Sequence, residues 1–201
     1  NDINLNASVK WSASRVFTLT GGLNYKWNRT EYYKKMDDLL GGDYYLNIDQ
    51  FAERDFASSP TMVQNDLDYY FRNGAAQILR KGDKYGYDYY ANVVDERLWG
   101  SLDLNYGGFK ARVSLEGGMN SFWRTGLVRK GLFPGLDDDG KEIIVDGNLL
   151  TTYDHKGKPI TSKGKSEVSQ FFTYSGKLAL QYHFLGGHRV YANAGYFNDA
   201  P

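Results

Sequence analysis

Cysteine is absent from the 201 residues of the chain. This excludes disulfide bonds, thiolate metal sites and a cysteine nucleophile. An excess of charge of one sign is also lacking, since 24 basic and 24 acidic residues give a formal net charge of +0. The chain therefore has no overall field to attract nucleic acid, and we expect no nucleic-acid partner. Proline is scarce, with 4 residues against 23 glycines and 17 tyrosines, a composition that favours strands and turns.

Long hydrophobic runs are missing as well. No stretch of about eighteen apolar residues occurs, so the sequence predicts no membrane-spanning helix. A spanning β-strand needs only about ten residues with every second one apolar, and its mean hydropathy is then low. The mean hydropathy of -0.57 is compatible with such strands. Membrane association must therefore be judged from the alternation of apolar and polar residues.

The stretch from Arg15 to Asn28 alternates in this way over its whole length. Its apolar positions carry Phe17 at one end and Tyr25 and Trp27 at the other, with leucine and glycine between them. Amphipathic rings prefer the headgroup level of a bilayer, and aliphatic side chains prefer the hydrocarbon. The order of side chains is therefore typical of a strand that crosses a membrane.

The same alternation recurs in five further stretches. Short and long connections follow one another strictly, as in bacterial outer-membrane barrels, where short turns face the periplasm and long loops face outside. We predict an all-β fold, an antiparallel transmembrane β-barrel fragment with short periplasmic turns and two long extracellular loops that contain short helices. The predicted strands are 2–11, 15–28, 94–106, 109–120, 170–184 and 188–197, and the predicted extracellular loops are 29–93 and 121–169.

Local signals predict structure inside the loops. Thr30 is a candidate cap for a helix over 31–40, and Asn47 or Asp49 for a helix over 51–56. In the second loop, Asp146 and Gly147 separate short runs that we expect to form a small hairpin.

The two faces of the predicted strands differ in their side chains. Rings at the strand ends of the apolar face predict two membrane belts: Trp11, Phe17, Tyr106, Phe109, Tyr182 and Phe184 at the short turns, and Tyr25, Trp27, Phe172, Tyr174 and Tyr196 at the long loops. The opposite face carries charged side chains that we expect to face the lumen or a plug: Lys26, Asp103, Arg112, Glu116, Lys177 and Arg189. A soluble β-sandwich also alternates, but it concentrates its rings in mid-core and has shorter strands.

Rings also crowd the predicted loops, where they could stack on sugars or flat chelates, or could pack the loops onto each other. The residues chosen as ligand-binding candidates are Tyr44, Tyr45, Tyr87, Tyr89, Tyr90, Trp123 and Arg124. Arg129 and Lys130 are further candidates for an anionic ligand, with a solvated loop as the alternative. The acidic run 137–139 fits a solvated turn better than a calcium loop, and we expect no metal, no cofactor and no catalytic site.

Several segments resemble a known family. They are GGDYYLNIDQFAERDF at 41–56, GDKYGYDYY at 82–90, FWRTGLVRKGLFP at 122–134 and AGYFNDAP at 194–201. They look like the barrel of TonB-dependent outer-membrane receptors from Bacteroidetes, although the last segment has Asn198 and Asp199 where Ser-Arg is expected before Ala-Pro.

The resemblance implies a larger barrel in the bacterial outer membrane, an N-terminal plug and energy coupling through TonB. It implies as partners the outer-membrane lipid, a small-molecule or oligomeric nutrient ligand and, in addition, a surface lipoprotein. Neither a plug nor a TonB box is visible, so we expect the chain to be an interior part of a longer receptor whose plug and remaining strands are absent here. The alternative function is a soluble or cell-surface β-domain that binds glycans without transport.

Overall fold

The computed structural model describes residues 1–199, so Ala200 and Pro201, which end the last of the segments named above, lie outside the described residues. The chain is mostly β, with 59 % strand and 7 % helix, and its main sheet is antiparallel. In chain order the elements are β1 (Asp2–Ser12), β2 (Phe17–Lys35), β3 (Tyr45–Leu46), α1 (Gln50–Phe56), α2 (Leu67–Asn73), β4 (Ile78–Leu79), β5 (Lys84–Tyr106), β6 (Phe109–Gly126), β7 (Ile144–Val145), β8 (Asn148–Leu149), β9 (Gly164–Lys165), β10 (Ser169–Phe184) and β11 (His188–Asn198). Neither α-helix within 1–199 has the length and apolar character needed to cross a membrane.

Two compact units divide the chain. Unit 1 comprises Asn1–Arg29, Val93–Phe122 and the segment from Val168 onward; unit 2 comprises Thr30–Asn92 and Trp123–Glu167. The bounds of the predicted loops, 29–93 and 121–169, differ by at most two residues from the bounds of the two segments of unit 2.

The long strands follow one another across the sheet in the order β1-β2-β5-β6-β10-β11. All six strands predicted from the alternation are present. Each is hydrogen-bonded to the next of the six along the chain, once the two segments of unit 2, which we call the first and second insertions, are set aside. Within residues 1–199 the sheet stays open, because β1 and β11 each have a single partner.

The register in unit 1 keeps apolar residues beside apolar ones. Leu178 lies between Val113 on β6 and Ala194 on β11. One position along, Lys177 lies opposite Ser114. Successive side chains of a strand point to opposite faces, so the sheet has one apolar and one polar face.

Apolar side chains on the apolar face of unit 1 are exposed among residues 1–199. The buried hydrophobic side chains among residues 1–199 are Ala52, Val63, Leu67, Leu79, Ile143 and Leu150, and all of them belong to unit 2. In unit 1, by contrast, Val9 is 72 % exposed, Leu98 70 % and Leu115 64 %. The described part of unit 1, which ends at residue 199, thus has no buried hydrophobic core of its own.

Unit 2 has a small core. Leu67 of α2 packs with Ile143 and Leu150, and Met62, Tyr70 and Val145 lie against this cluster. The predicted hairpin at Asp146 and Gly147 is confirmed as β7 and β8. Both turn residues have positive φ, 50° and 78°, as a tight two-residue hairpin turn requires.

The helix predicted over 31–40 is wrong. Strand β2 continues to Lys35 instead of ending at residue 28, and β5 begins at Lys84 instead of residue 94. Tyr32 stacks on Tyr89 with ring centroids 5.5 Å apart, a cross-strand contact that favours the extended pairing. A helix of about ten residues is only marginally stable by itself. Strand β6 likewise continues to Gly126 instead of residue 120.

The second predicted helix is confirmed as α1. Asp49 is its cap, since a carboxylate oxygen accepts hydrogen bonds from the backbone N–H groups of Phe51 and Ala52. Helix α2 was not predicted, although Asp66 caps its first turn and Gly74, with φ 67°, ends it. Asp and Gly at this spacing are the sequence signals that could have identified it.

Candidate ligand-binding site

A row of rings and cations is built by three strand segments of unit 2. Tyr32 and Lys34 alternate on β2, Tyr87 and Tyr89 alternate on β5, and Arg124 lies near the end of β6. Because residues two apart on a strand share a face, each pair points to one side of the sheet. These five residues form what we call the aromatic–cation row.

Each link of the row is a direct contact. Tyr32 and Tyr89 stack at 5.5 Å, and the Tyr87 and Tyr89 centroids are 5.7 Å apart. The Lys34 ammonium lies 5.4 Å from the Tyr87 ring centroid, and the Arg124 guanidinium carbon lies 4.6 Å from that of Tyr89. A cation over a ring contributes about 0.5–1 kcal/mol at an exposed site, so the row is ordered by its own contacts.

The two cations of the row have no acidic partner in the described part of the chain. Within residues 1–199, no carboxylate oxygen lies within 4.0 Å of the charged nitrogens of Lys34 or Arg124. Arg124 Nη1 donates a hydrogen bond to the carbonyl of Ser162 at 3.2 Å, which leaves its positive charge uncompensated.

Lys84 shows the opposite arrangement. Its ammonium donates to Glu31 and, at 2.9 Å, to Asp88 Oδ2, and lies 4.2 Å from the centroid of Tyr33. The hydrogen bonds to Asp88 and Glu31 raise the pKa of Lys84 above its ordinary value. Its charge is therefore neutralised within unit 2.

The structure brings three of the seven predicted ligand residues into the row: Tyr87, Tyr89 and Arg124. Tyr45 is linked to it indirectly, through an edge contact with Tyr85 at 6.4 Å and the approach of Lys34 to Tyr85 at 5.8 Å.

The other three predicted residues lie outside the row. Tyr44 is 58 % exposed. Trp123 carries Lys165 over its ring at 4.7 Å, and the Tyr90 carbonyl accepts from Asn92 Nδ2 at 3.5 Å. Lys34 was not predicted as a site residue; its position two residues after Tyr32 is the signal that could have identified it, once β2 was known to continue.

Arg129 and Lys130 are committed to carboxylates of unit 2. Arg129 is 4 % exposed, and its Nε lies 2.8 Å from Asp68 Oδ1 and its Nη2 2.7 Å from Asp138 Oδ1. The Lys130 ammonium lies 3.2 Å from Asp49 Oδ2. Both cations thus form ion pairs that link the two chain segments of unit 2 or stabilise the turn at 137–139.

The acidic run 137–139 forms a turn. Oδ1 of Asp137 accepts from the backbone N–H groups of Asp139 at 2.9 Å and Lys141 at 2.8 Å. Asp138 pairs with Arg129, as described above. No group of three or more metal-ligating side chains occurs in the described part of the chain, 1–199.

The polar face of unit 1 carries ion pairs that involve three of the predicted lumen residues, Asp103, Arg112 and Glu116. Arg112 Nε donates to Asp103 Oδ1 at 2.5 Å, and Arg97 Nη1 donates to Glu116 at 3.0 Å. The Lys177 ammonium lies 5.0 Å from the ring centroid of Phe197. Lys26 and Arg189 are exposed, and in 1–199 neither has a carboxylate within ion-pair distance.

A cavity of about 600 Å³ lies against part of this face. Its charged lining comes from Lys10, Arg15, Asp103, Lys110 and Arg112. Basic side chains therefore outnumber acidic ones around it.

Rings on the apolar face of unit 1 group at the strand ends. Phe172, Tyr174 and Tyr196 form one stacked series, with centroid distances of 5.8 and 5.9 Å. Tyr182 and Phe184 are 6.2 Å apart, and Tyr182 lies opposite Phe109 in the register. The remaining predicted belt residues also lie on unit 1 strands or their ends: Trp11, Phe17, Tyr25, Trp27 and Tyr106.

Comparison of the chain with models of known protein families, with curated proteins and with solved structures finds no match.

Proposed function

We propose that this chain forms part of the wall and two extracellular loops of an outer-membrane β-barrel that imports a nutrient ligand in a TonB-dependent manner. Ligand is captured by the loops and by the inner wall. TonB then acts on a plug domain, which the family resemblance implies, and opens a path for the ligand through the barrel. In this role the chain is not an enzyme.

The observation that carries the proposal is the uncovered apolar face of unit 1. Exposed apolar patches on water-soluble monomers rarely exceed a few hundred square ångströms. Here leucine and valine side chains on all six long strands are exposed, among them Val9, Leu19, Leu98, Leu115, Leu178 and Val190. The hydrocarbon of a bilayer would give such a face an apolar surrounding, which supports the proposal.

The placement of rings supports the same reading. Stacked rings stand at both ends of the strands, Tyr174 and Tyr196 in one group and Tyr182 and Phe184 in the other. Between them the apolar face has only aliphatic side chains and glycine. An eleven-residue strand such as β1 spans about 36 Å, or about 25 Å of height when tilted by about 45°, which matches the apolar band of outer-membrane barrels.

The open edges of the sheet support a larger assembly. In hydrocarbon an unpaired backbone group costs several kcal/mol, so an open sheet is not stable there by itself. Further strands, a plug and, following the resemblance, a surface lipoprotein complete the importer that we propose.

The test is to express the intact protein in a Gram-negative host. We expect it to fractionate with the outer membrane and to migrate faster on gels when unheated, as folded barrels do. Deletion of the gene should abolish uptake of its nutrient. A freely soluble, monodisperse 201-residue chain would contradict the proposal. That result would instead favour a cell-surface β-domain that binds glycans.

A further inference from the structure

We infer that the cavity on the polar face of unit 1 binds a small soluble molecule with two phosphate groups. Its charged lining comes from Lys10, Arg15, Asp103, Lys110 and Arg112, and we call it the basic cavity. Its volume of about 600 Å³ lies within the range of small-molecule sites. The inference goes beyond the proposed function and does not depend on transport.

All six long strands bring residues to the basic cavity. Lys10 comes from β1 at one edge of the sheet, and Tyr191 and Asn193 come from β11 at the other edge. In a flat sheet, six strands placed about 4.8 Å apart would hold these edges about 24 Å from each other, too far to line one cavity of this size. The polar face of unit 1 is therefore concave here, and its curvature brings distant basic side chains together.

Positive charge is concentrated at this cavity and is not spread over the whole polar face. Four basic side chains against one carboxylate give the lining an excess of three positive charges. Arg189, which follows the short turn between β10 and β11, adds to the positive charge at this end of the strands. The other polar positions of the long strands in the described part of unit 1 balance, with three basic and three acidic side chains: Lys26, Arg97, Lys177, Asp2, Asp95 and Glu116.

Three of the four cations of the lining are not paired with carboxylates. Within residues 1–199, no carboxylate oxygen lies within 4.0 Å of the charged nitrogens of Lys10, Arg15 or Lys110. Arg112 is paired, since its Nε donates to Asp103 Oδ1. A single unpaired lysine or arginine is common on a protein surface. Several that converge on one cavity repel each other, and a bound anion would offset that repulsion.

The chemistry of the lining favours phosphate groups. A phosphate monoester carries a charge of about −1.5 to −2 at pH 7, so two such groups offset three positive charges within a small volume, whereas each carboxylate supplies one charge. The guanidinium groups of Arg15 and Arg112 present paired donors that match phosphate oxygens, and lysine ammonium groups act as point charges. Asn105 and Asn193 add neutral amide donors to the lining.

The lining also favours a soluble molecule over a lipid. Leu104 and Leu180 border the cavity, but they occupy positions of the apolar face. Since successive side chains of a strand point to opposite faces, these leucines point away from the polar face. The cavity thus offers little apolar surface to an acyl chain.

The experiment measures the binding of inorganic pyrophosphate to the purified intact protein by titration calorimetry, in detergent or, if the protein proves soluble, in buffer alone. Orthophosphate and hexaglutamate are the comparison probes. We expect pyrophosphate to bind at least about tenfold more tightly than either, and added salt to weaken its binding. Tighter binding of hexaglutamate would assign the cavity to an acidic protein segment and overturn the inference.

The double variant Lys10→Gln with Lys110→Gln should weaken pyrophosphate binding by about tenfold or more. The matched control is Lys26→Gln with Lys177→Gln, which removes two lysines of the same face outside the cavity and should change the affinity by less than about twofold. Asp103→Asn should instead tighten binding by about threefold or more, because it removes the carboxylate of the lining.

The inference is overturned if pyrophosphate does not bind, if the Lys10 and Lys110 double variant binds it as tightly as the unsubstituted protein, or if the control variant loses as much affinity. Far-ultraviolet circular dichroism checks that every variant keeps its strand content. A protein that binds pyrophosphate but does not fractionate with the outer membrane would contradict the proposed function and leave this inference standing.

Discussion

The ammonium group of Lys130 lies 3.2 Å from Oδ2 of Asp49, while Oδ1 of the same carboxylate caps helix α1. The Asp49 side chain thus caps a helix in the first insertion and forms an ion pair with a lysine of the second. Burial by itself would raise the pKa of Asp49, but the N–H of Ala52 and the Lys130 ammonium outweigh it and lower the pKa below the ordinary value of 3.8.

We predict a pH dependence from this carboxylate. A group whose pKa is lowered on folding stabilises the fold at pH values above its ordinary pKa, and this contribution is lost as the pH falls through the lowered value. The protection of the Phe51 and Ala52 amides against hydrogen exchange should therefore decrease below about pH 3.8. Asp49→Asn keeps a capping oxygen but removes the charge, so it should cost about 1 kcal/mol at neutral pH and flatten this dependence. An unchanged pH profile in the variant would contradict the assignment.

Arg129 should be a major stabilising residue of unit 2. It is 4 % exposed, pairs with Asp68 and Asp138, and donates to the carbonyl of Pro134 at 3.2 Å. Arg129→Met should lower the free energy of unfolding by about 2–3 kcal/mol, measured by urea denaturation of the intact protein. Arg129→Lys should not rescue it, because an ammonium cannot replace the planar fork of donors. Arg72→Met, at an exposed position of α2, is the control and should change stability by less than about 0.5 kcal/mol.

Two adjacent glycines of β2 should differ in their tolerance of a methyl group. A Cβ on Gly22 would lie 2.5 Å from the Ala7 carbonyl oxygen and 2.8 Å from Cζ2 of Trp99, whereas a Cβ on Gly21 would be 3.4 Å from its nearest neighbour. Gly22→Ala should therefore cost about 1–3 kcal/mol, and Gly21→Ala should cost much less. The apparent unfolding temperatures of the two variants give the comparison. Equal losses would mean that Trp99 does not pack on this strand.

Which face of the unit 1 sheet contacts lipid can be tested at neighbouring positions of β5. Leu102 belongs to the apolar face and is 43 % exposed, while Ser101 belongs to the opposite face. If the apolar face meets lipid, Leu102→Arg should cost about 2–4 kcal/mol near the middle of the membrane. It should sharply reduce the heat-modifiable form in the outer membrane, whereas Ser101→Arg should be tolerated. Similar assembly of both variants would refute this orientation.

The strands of unit 1 could be predicted from sequence because a single physical rule governs them. Alternation places Leu178 on one face and Lys177 on the other, and turn glycines such as Gly107, with φ 58°, mark the hairpin ends. In unit 2 the rule weakens, since rings and charges occupy both faces of β2 beyond Asn28. The end of that strand depends on the stacking of Tyr32 with Tyr89, a contact between residues far apart in sequence.

The candidate site was only partly predictable for the same reason. The many tyrosines in the loops led to the prediction of ligand-binding residues there. Of these, Tyr89 contacts both Tyr87 and Arg124 in the structure. Which cation remains uncompensated is decided by long-range pairing: Arg129 finds Asp68, and Lys130 finds Asp49, whereas Arg124 finds a ring. No local sequence signal distinguishes these three basic residues.

The order of strands in the sheet also bears on how the chain folds. Three pairs, β1 with β2, β5 with β6, and β10 with β11, are joined by short turns and can form on the microsecond scale of isolated hairpins. Pairing β2 with β5, or β6 with β10, must instead close a long insertion, with an entropic penalty that grows with the logarithm of its length. A folded unit 2 reduces that penalty, because contacts such as Tyr32 with Tyr89 hold the ends of the first insertion together. Changes that unfold unit 2 should therefore slow the joining of finished hairpins and leave the formation of each hairpin unaffected.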